Sequence, residues 1–276
     1  MDSAEEMSFT KRLEQAWESS GSLVCVGLDP FVERFPEHLS SEEEPVFVFN
    51  REIIDATADL VCAYKPQIAH YSALGAEEQL EKTIAHIKRS FPGIPVILDA
   101  KRGDIGSTAE MYAREAFERY GADAVTVNPY LGGDAIEPFL RRADKGAVIL
   151  CKTSNPGGKD LQDLRVGKKA LYQIVAEKAV TEWNENQNVL LVVGATYPRE
   201  LGEVRSIVGE MPLLVPGIGA QSGDVGSAVV NGKNAQGTGV VINSSRGILY
   251  AGQGRDFAQA AREAALKLRD QINSFR

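Results

Sequence analysis

The sequence predicts an α/β chain folded as a (β/α)₈ barrel, and two observations carry the prediction. Eight short apolar runs rich in β-branched residues recur along the chain, at residues 23–28, 61–66, 95–100, Ala124–Val127, 147–152, 189–194, 213–216 and 240–243. Their starts fall roughly thirty residues apart, the size of one βα unit. Helix-like segments with spaced apolar residues and mixed charge lie between them, as at 51–60, 77–91, 108–120, 168–186 and 256–275. Uninterrupted apolar runs read as strands covered on both faces, and amphipathic segments read as the helices that cover them. Run-counting alone leaves a doubly wound open sheet as the alternative, because it does not distinguish a closed sheet from one with free edges.

The segment Phe9–Ser20 reads as an added helix before the first strand. No low-complexity linker divides the 276 residues, so one barrel domain over 1–276 is expected. Two stretches are long for βα loops, 30–46 after the first strand and 155–167 after the fifth, and long loops often carry function. Met111, Tyr112 and Phe117 read as packing residues of the third helical segment.

Composition narrows the function. With 30 Lys+Arg against 38 Asp+Glu the net charge is −8, which argues against a nucleic-acid partner. No run approaches the ~20 apolar residues of a membrane span, and the start, Met1-Asp2-Ser3-Ala4-Glu5-Glu6, lacks the basic opening of a secretory signal. A cytoplasmic protein is expected. Its cysteines, Cys25, Cys62 and Cys151, are odd in number and lie in apolar runs, so buried free thiols are expected rather than disulfides. His38, His70 and His86 show no metal-ligand spacing, so His-based metal chemistry is not expected.

In such barrels the active site forms where strands end and βα loops begin. The ends here are polar: Asp29, Lys65, Asp99 through Asp104, Asn128, Lys152-Thr153-Ser154, Pro216-Gly217 and Asn243 through Arg246. Alternation along the third strand puts Asp99 and Lys101 on one face, with Asp104 close behind after Gly103 and Lys65 arriving from the neighbouring strand. Lysines interleaved with aspartates keep one another charged. That array suits stabilisation of a developing carbanion, with a lysine able to deliver a proton. A surface salt-bridge network is the bland alternative for Asp-x-Lys alone.

After the seventh strand comes Pro216-Gly217-Ile218-Gly219-Ala220-Gln221-Ser222-Gly223, and after the eighth Ser244-Ser245-Arg246-Gly247. Loops at these two ends commonly bind phosphate through backbone N–H groups and an arginine, so a phosphorylated substrate is expected. The segment 221–237 is expected to close over the dianion as a loop. Asp29 and Ser154 suit sugar hydroxyls and a heterocyclic carbonyl respectively.

The run Leu98-Asp99-Ala100-Lys101-Arg102-Gly103-Asp104-Ile105-Gly106-Ser107-Thr108 resembles the L-D-x-K-x-x-D-I-x-x-T signature of the orotidine 5′-phosphate decarboxylase family, in its longer bacterial subgroup. Gly27-Leu28-Asp29, Lys65, Ser154, Pro216 through Gln221 and Arg246 follow in that family's order. The resemblance implies cofactor-free decarboxylation of orotidine 5′-phosphate to UMP, with Lys101 as proton donor to C6 and Asp99 facing the substrate carboxylate. It makes Lys65 and Asp104 the other members of a charged tetrad, and places Asp104 and Thr108 in the partner's site of a homodimer. Asp29 would contact the ribose, Ser154 the pyrimidine, and Gln221 and Arg246 the phosphate. Gly106 stands where shorter relatives often carry proline. Two rival readings remain. One is a magnesium-dependent sugar-phosphate decarboxylase or aldolase of the same suprafamily, which typically has an acidic residue where Lys65 stands. The other is a phosphate-ligand sensor without catalysis.

Overall fold

The structure, a computed structural model, describes residues 7–218 and 224–276. Eight parallel strands form the central sheet: β1 (Val24–Leu28), β2 (Ala63–Pro66), β3 (Ile97–Arg102), β4 (Ala124–Val127), β5 (Gly146–Lys152), β6 (Val189–Val193), β7 (Leu213–Val215) and β8 (Val240–Ser244). They lie in the order β2-β1-β8-β7-β6-β5-β4-β3. Parallel bridges Tyr64–Val96 and Gln67–Asp99 join the two outermost strands, so the sheet closes on itself as a barrel. Closure decides against the open-sheet alternative. All residues of β1, β4, β6 and β8 are buried, which is why these strands read as unbroken apolar runs.

The added helix α1 (Phe9–Ser20) ends at Gly21 and packs Phe9, Leu13 and Trp17 into the core. Its Arg12 pairs with Asp123 at 3.0 Å, just before β4, and Lys88 reaches the same carboxylate at 2.8 Å. The helix thus tethers to the end of the barrel where strands begin and leaves the opposite end free for loops.

Helix α2 (Pro45–Thr57) starts six residues ahead of the 51–60 segment, with proline at its first turn, where a missing N–H costs nothing. The 30–46 stretch ahead of it holds two short 3₁₀ turns, Val32–Arg34 and Glu37–Ser41. Helix α3 (Ile68–Ser72) and helix α4 (Glu77–Ser90) follow β2, and α5 (Gly106–Arg114) runs into a π-helical turn at Glu115–Arg119. Of the three residues assigned to packing there, Phe117 is buried but Met111 is 57% exposed, a correction to that expectation.

Helix α6 (Gly133–Leu140) follows β4, and a 3₁₀ turn with the short α7 (Lys159–Gln162) forms part of the insertion after β5. The helix expected over 168–186 is shorter, α8 (Leu171–Thr181), because Arg165–Val166 and Lys169–Ala170 pair as an antiparallel ribbon around Gly167. Helices α9 (Pro198–Val208), α10 (Val225–Gly232), α11 (Arg246–Leu249) and α12 (Phe257–Asn273) complete the coat. Much of the segment read as a 221–237 loop is therefore helical, with Asp224 capping α10 by accepting the Ser227 N–H at 2.6 Å. Cys25, Cys62 and Cys151 are buried and free.

Candidate active site

The third strand does more than end in charge. Between Leu98 and Arg102 its register against β4 shifts, and Lys101 takes φ +47°, one of two non-glycine residues with positive φ among the described residues. The Thr126 hydroxyl, from β4, accepts the N–H groups of both Ala100 and Lys101 at 2.9 Å and donates to Asp99 Oδ1 at 2.9 Å. The distortion folds the lysine side chain back on its neighbour, so Lys101 Nζ meets Asp99 Oδ1 at 2.6 Å. Lys65 Nζ, from β2, donates to Asp99 Oδ2 at 2.9 Å and lies 4.0 Å from Asp29 Oδ1.

One buried carboxylate therefore sits between two ammonium groups. Burial pulls the Asp99 pKa up, but Lys65 and Lys101 outweigh it and hold the carboxyl well below the usual range. Burial alone pulls the Lys65 pKa down, its side chain being 4% exposed. Asp99 and Asp29 reverse that and raise its pKa above the ordinary lysine value. The Lys101 side chain is 47% exposed, at the open side of the cluster.

The cluster forms one wall of a cavity of about 560 Å³ at the ends of the strands, which also receives Asp29, Ser154, Pro216 and Arg246. Seven of the ten expected residues thus meet around one space. The Tyr250 hydroxyl fixes the loop behind Asp29 by accepting the Phe31 N–H at 2.6 Å and donating to the Asp29 carbonyl at 3.1 Å.

Asp104 and Thr108 do not line this cavity. Asp104 is half-buried and accepts its neighbour's N–H, that of Ile105, at 2.8 Å, while Thr108 is exposed. Within one chain the second carboxylate near Lys65 is accordingly Asp29. Gly106, between Asp104 and Thr108, has φ +55°, a value closed to proline, so this turn differs from one built on a proline ring. Gln221 lies outside the described residues. Asn128 does not reach the cavity but caps the turn Pro129–Leu131 by accepting the Tyr130 N–H. Among the described residues no three His, Cys, Asp or Glu side chains are grouped to hold a metal ion.

Thr126 and Gln162 line the cavity but were not singled out in the sequence, and Asn243, also in the lining, stood out only as a polar strand end with no assigned role. Thr126 lies within an apolar strand, where a threonine reads as an ordinary β-former. Gln162 sits in an insertion whose path has no periodic pattern.

Comparison with known proteins places this geometry. Residues 22–264 match the model of the Orotidine 5'-phosphate decarboxylase / HUMPS family. The chain is 59% identical over 270 residues to the orotidine 5'-phosphate decarboxylase of Dechloromonas aromatica, covering 98% of this chain and 100% of that one. It is 60% identical over 269 residues to the enzyme of that name from Cellvibrio japonicus, covering 97% and 98%. Among solved structures, the Leishmania donovani OMP decarboxylase superposes with a TM-score of 0.85 at 41% identity, covering 98% of this chain and 99% of that one. With near-complete coverage by both sequence and structure, the chain belongs to the orotidine 5′-phosphate decarboxylase / HUMPS family.

Proposed function

We propose that the protein decarboxylates orotidine 5′-phosphate to UMP, without a cofactor. The observation that carries this reading is the Asp99 carboxylate, held at 2.9 Å by Lys65 and at 2.6 Å by Lys101 in the cavity wall. As the C6–carboxylate bond breaks, CO₂ leaves and the bonding pair remains on C6. The Lys101 ammonium stabilises that charge and then passes a proton to C6, giving UMP. Its exposure allows it to regain a proton from water. Asp99 aims both ammonium groups and faces the departing carboxylate. Asp29 takes the ribose, Ser154 the pyrimidine, and Arg246 with Gln221 the phosphate.

A magnesium-dependent sugar-phosphate enzyme would need carboxylates free to chelate. Here the cation shared by Asp99 and Asp29 is the Lys65 ammonium.

The chain acts as a homodimer in the cytoplasm, with Asp104 and Thr108 serving the partner's site. Their place outside their own cavity supports this, as do exposed apolar neighbours, Ile105, Met111, Tyr130 and Leu131, that a second copy would cover. Free buried thiols suit a reducing compartment. No helix of the described residues is long and apolar enough to cross a membrane.

The test is to add orotidine 5′-phosphate to EDTA-treated protein and follow its ultraviolet absorbance. Metal-independent loss of substrate supports the proposal. Intact substrate favours the sugar-phosphate reading, and binding without turnover favours a sensor.

A further inference from the structure

We infer that the ion pair Lys152–Asp163 is a positioning device that holds the insertion after β5 against the cavity and thereby sets how tightly the base end of the substrate is gripped. The inference rests on the decarboxylase reading above. Lys152 is the last residue of β5, is fully buried and does not line the cavity. Its Nζ lies 2.5 Å from Asp163 Oδ1, 4.5 Å from the centre of the Tyr197 ring and 5.6 Å from that of Tyr172. A hydrophobic side chain of similar volume would fill this place at lower desolvation cost, so packing alone does not account for a charge there.

What the pair does follows from its neighbours in the chain. Thr153 and Ser154 come directly after Lys152, and Gln162 directly before Asp163, so the ion pair closes the intervening segment into a ring. Within the ring Gln162 accepts the Thr153 N–H at 2.9 Å and donates to the Thr153 hydroxyl at 2.8 Å, while that hydroxyl donates to Asn155 at 2.7 Å. From outside, Thr196 donates to the Ser154 carbonyl at 3.1 Å and Tyr197 to the Asn155 carbonyl at 3.3 Å. A Cβ at Gly194 would stand 2.7 Å from Ser154 Cα, so the glycine lets the ring seat closely. Ser154 and Gln162 are the ring's residues that face the cavity beside Thr153 and Asn155. Among the described residues neither Lys101 nor Arg246 is hydrogen-bonded or ion-paired to Lys152 or Asp163, so loosening the pair should act on the base and spare the phosphate.

Three variants test this: Asp163→Asn, Lys152→Met and the double replacement. The readouts are kcat and KM for orotidine 5′-phosphate, inhibition by UMP and by ribose 5-phosphate, and Tm. Each single variant should raise KM and weaken UMP roughly tenfold or more, the loss of a charge-assisted hydrogen bond, with ribose 5-phosphate unchanged within about twofold and kcat much less affected. The double variant, which buries no unpaired charge, should recover Tm but not UMP affinity. Equal weakening of both inhibitors would mark the pair as merely structural, and unchanged UMP affinity in both single variants would overturn it as well. Wild-type protein that leaves orotidine 5′-phosphate intact would overturn the functional reading, and the inference with it. Wild-type turnover with unaltered UMP binding in the variants would overturn the inference alone.

Discussion

Thr126 donates a 2.9 Å hydrogen bond to Asp99 with the same hydroxyl that accepts the N–H groups of Ala100 and Lys101. One donor and two acceptor sites are all that a hydroxyl has. This side chain therefore fixes both the carboxylate that aims Lys101 and the left-handed backbone that turns Lys101 toward it. Thr126→Val, nearly the same shape, should lower kcat by about tenfold to a hundredfold with KM little changed. It should also lower Tm, since two backbone donors lose their acceptor at about 1–3 kcal/mol each. Thr126→Ser should restore most of kcat. Steady-state kinetics decide it, and a Thr126→Val protein with wild-type kcat would show that the lysine is aimed by other contacts.

Arg246 lies exposed in the cavity lining just past the end of β8. If it grips the phosphate, Arg246→Ala should raise KM and lower kcat/KM for the nucleotide, because binding energy far from C6 contributes to the transition state. The phosphate-free nucleoside orotidine should be far less sensitive. Equal losses with both substrates would make the arginine structural.

The Asp99–Lys65 pair should be indifferent to pH through neutrality. Asp99 is depressed below the ordinary carboxyl value of 3.8, so its stabilising contribution is complete above that value and lost only as pH falls toward the depressed one. Lys65 is raised above 10.5, so its contribution is complete below that value and lost only as pH rises past it. A kcat profile between about pH 5 and 9 should then show no inflection from this pair, leaving the substrate phosphate, near ~6, to shape kcat/KM. A neutral-range inflection in kcat assigned to Lys65 or Asp99 by NMR titration would contradict the charge assignment.

Shared sites can be tested by mixing. Lys101→Ala and Asp104→Ala proteins, each nearly inactive, should complement when unfolded together and refolded. A mixed dimer would carry one site with both lesions and one intact, so about a quarter of wild-type sites should return. Heterodimers confirmed by mass but without activity would confine Asp104 to its own chain.

The barrel was legible because parallel strands buried on both faces leave continuous apolar runs, and each of the eight runs overlaps a strand. Its closure was not, since the Tyr64–Val96 and Gln67–Asp99 bridges are long-range pairings that no local pattern records. Asp99, Lys101 and Lys65 stood out as charges at the ends of apolar strands. Thr126 did not, because a threonine within an apolar strand looks like an ordinary β-former. The start of α2 was hidden by Pro45, which reads as a loop residue unless its place in the first helical turn is known. The role of Lys152 depended on Asp163, whose position is set by the fold of the insertion rather than by spacing.

Lys101 as the group that meets the charge on C6 is the central claim, and Lys101→Ala tests it most directly. That charge exists only as CO₂ departs, so the ammonium acts chiefly in the transition state. With the variant purified and folded, kcat should fall by at least about 10²–10³-fold, the range for losing one preorganised donor, while UMP still binds within about tenfold of wild type. Wild-type kcat in Lys101→Ala would contradict the account.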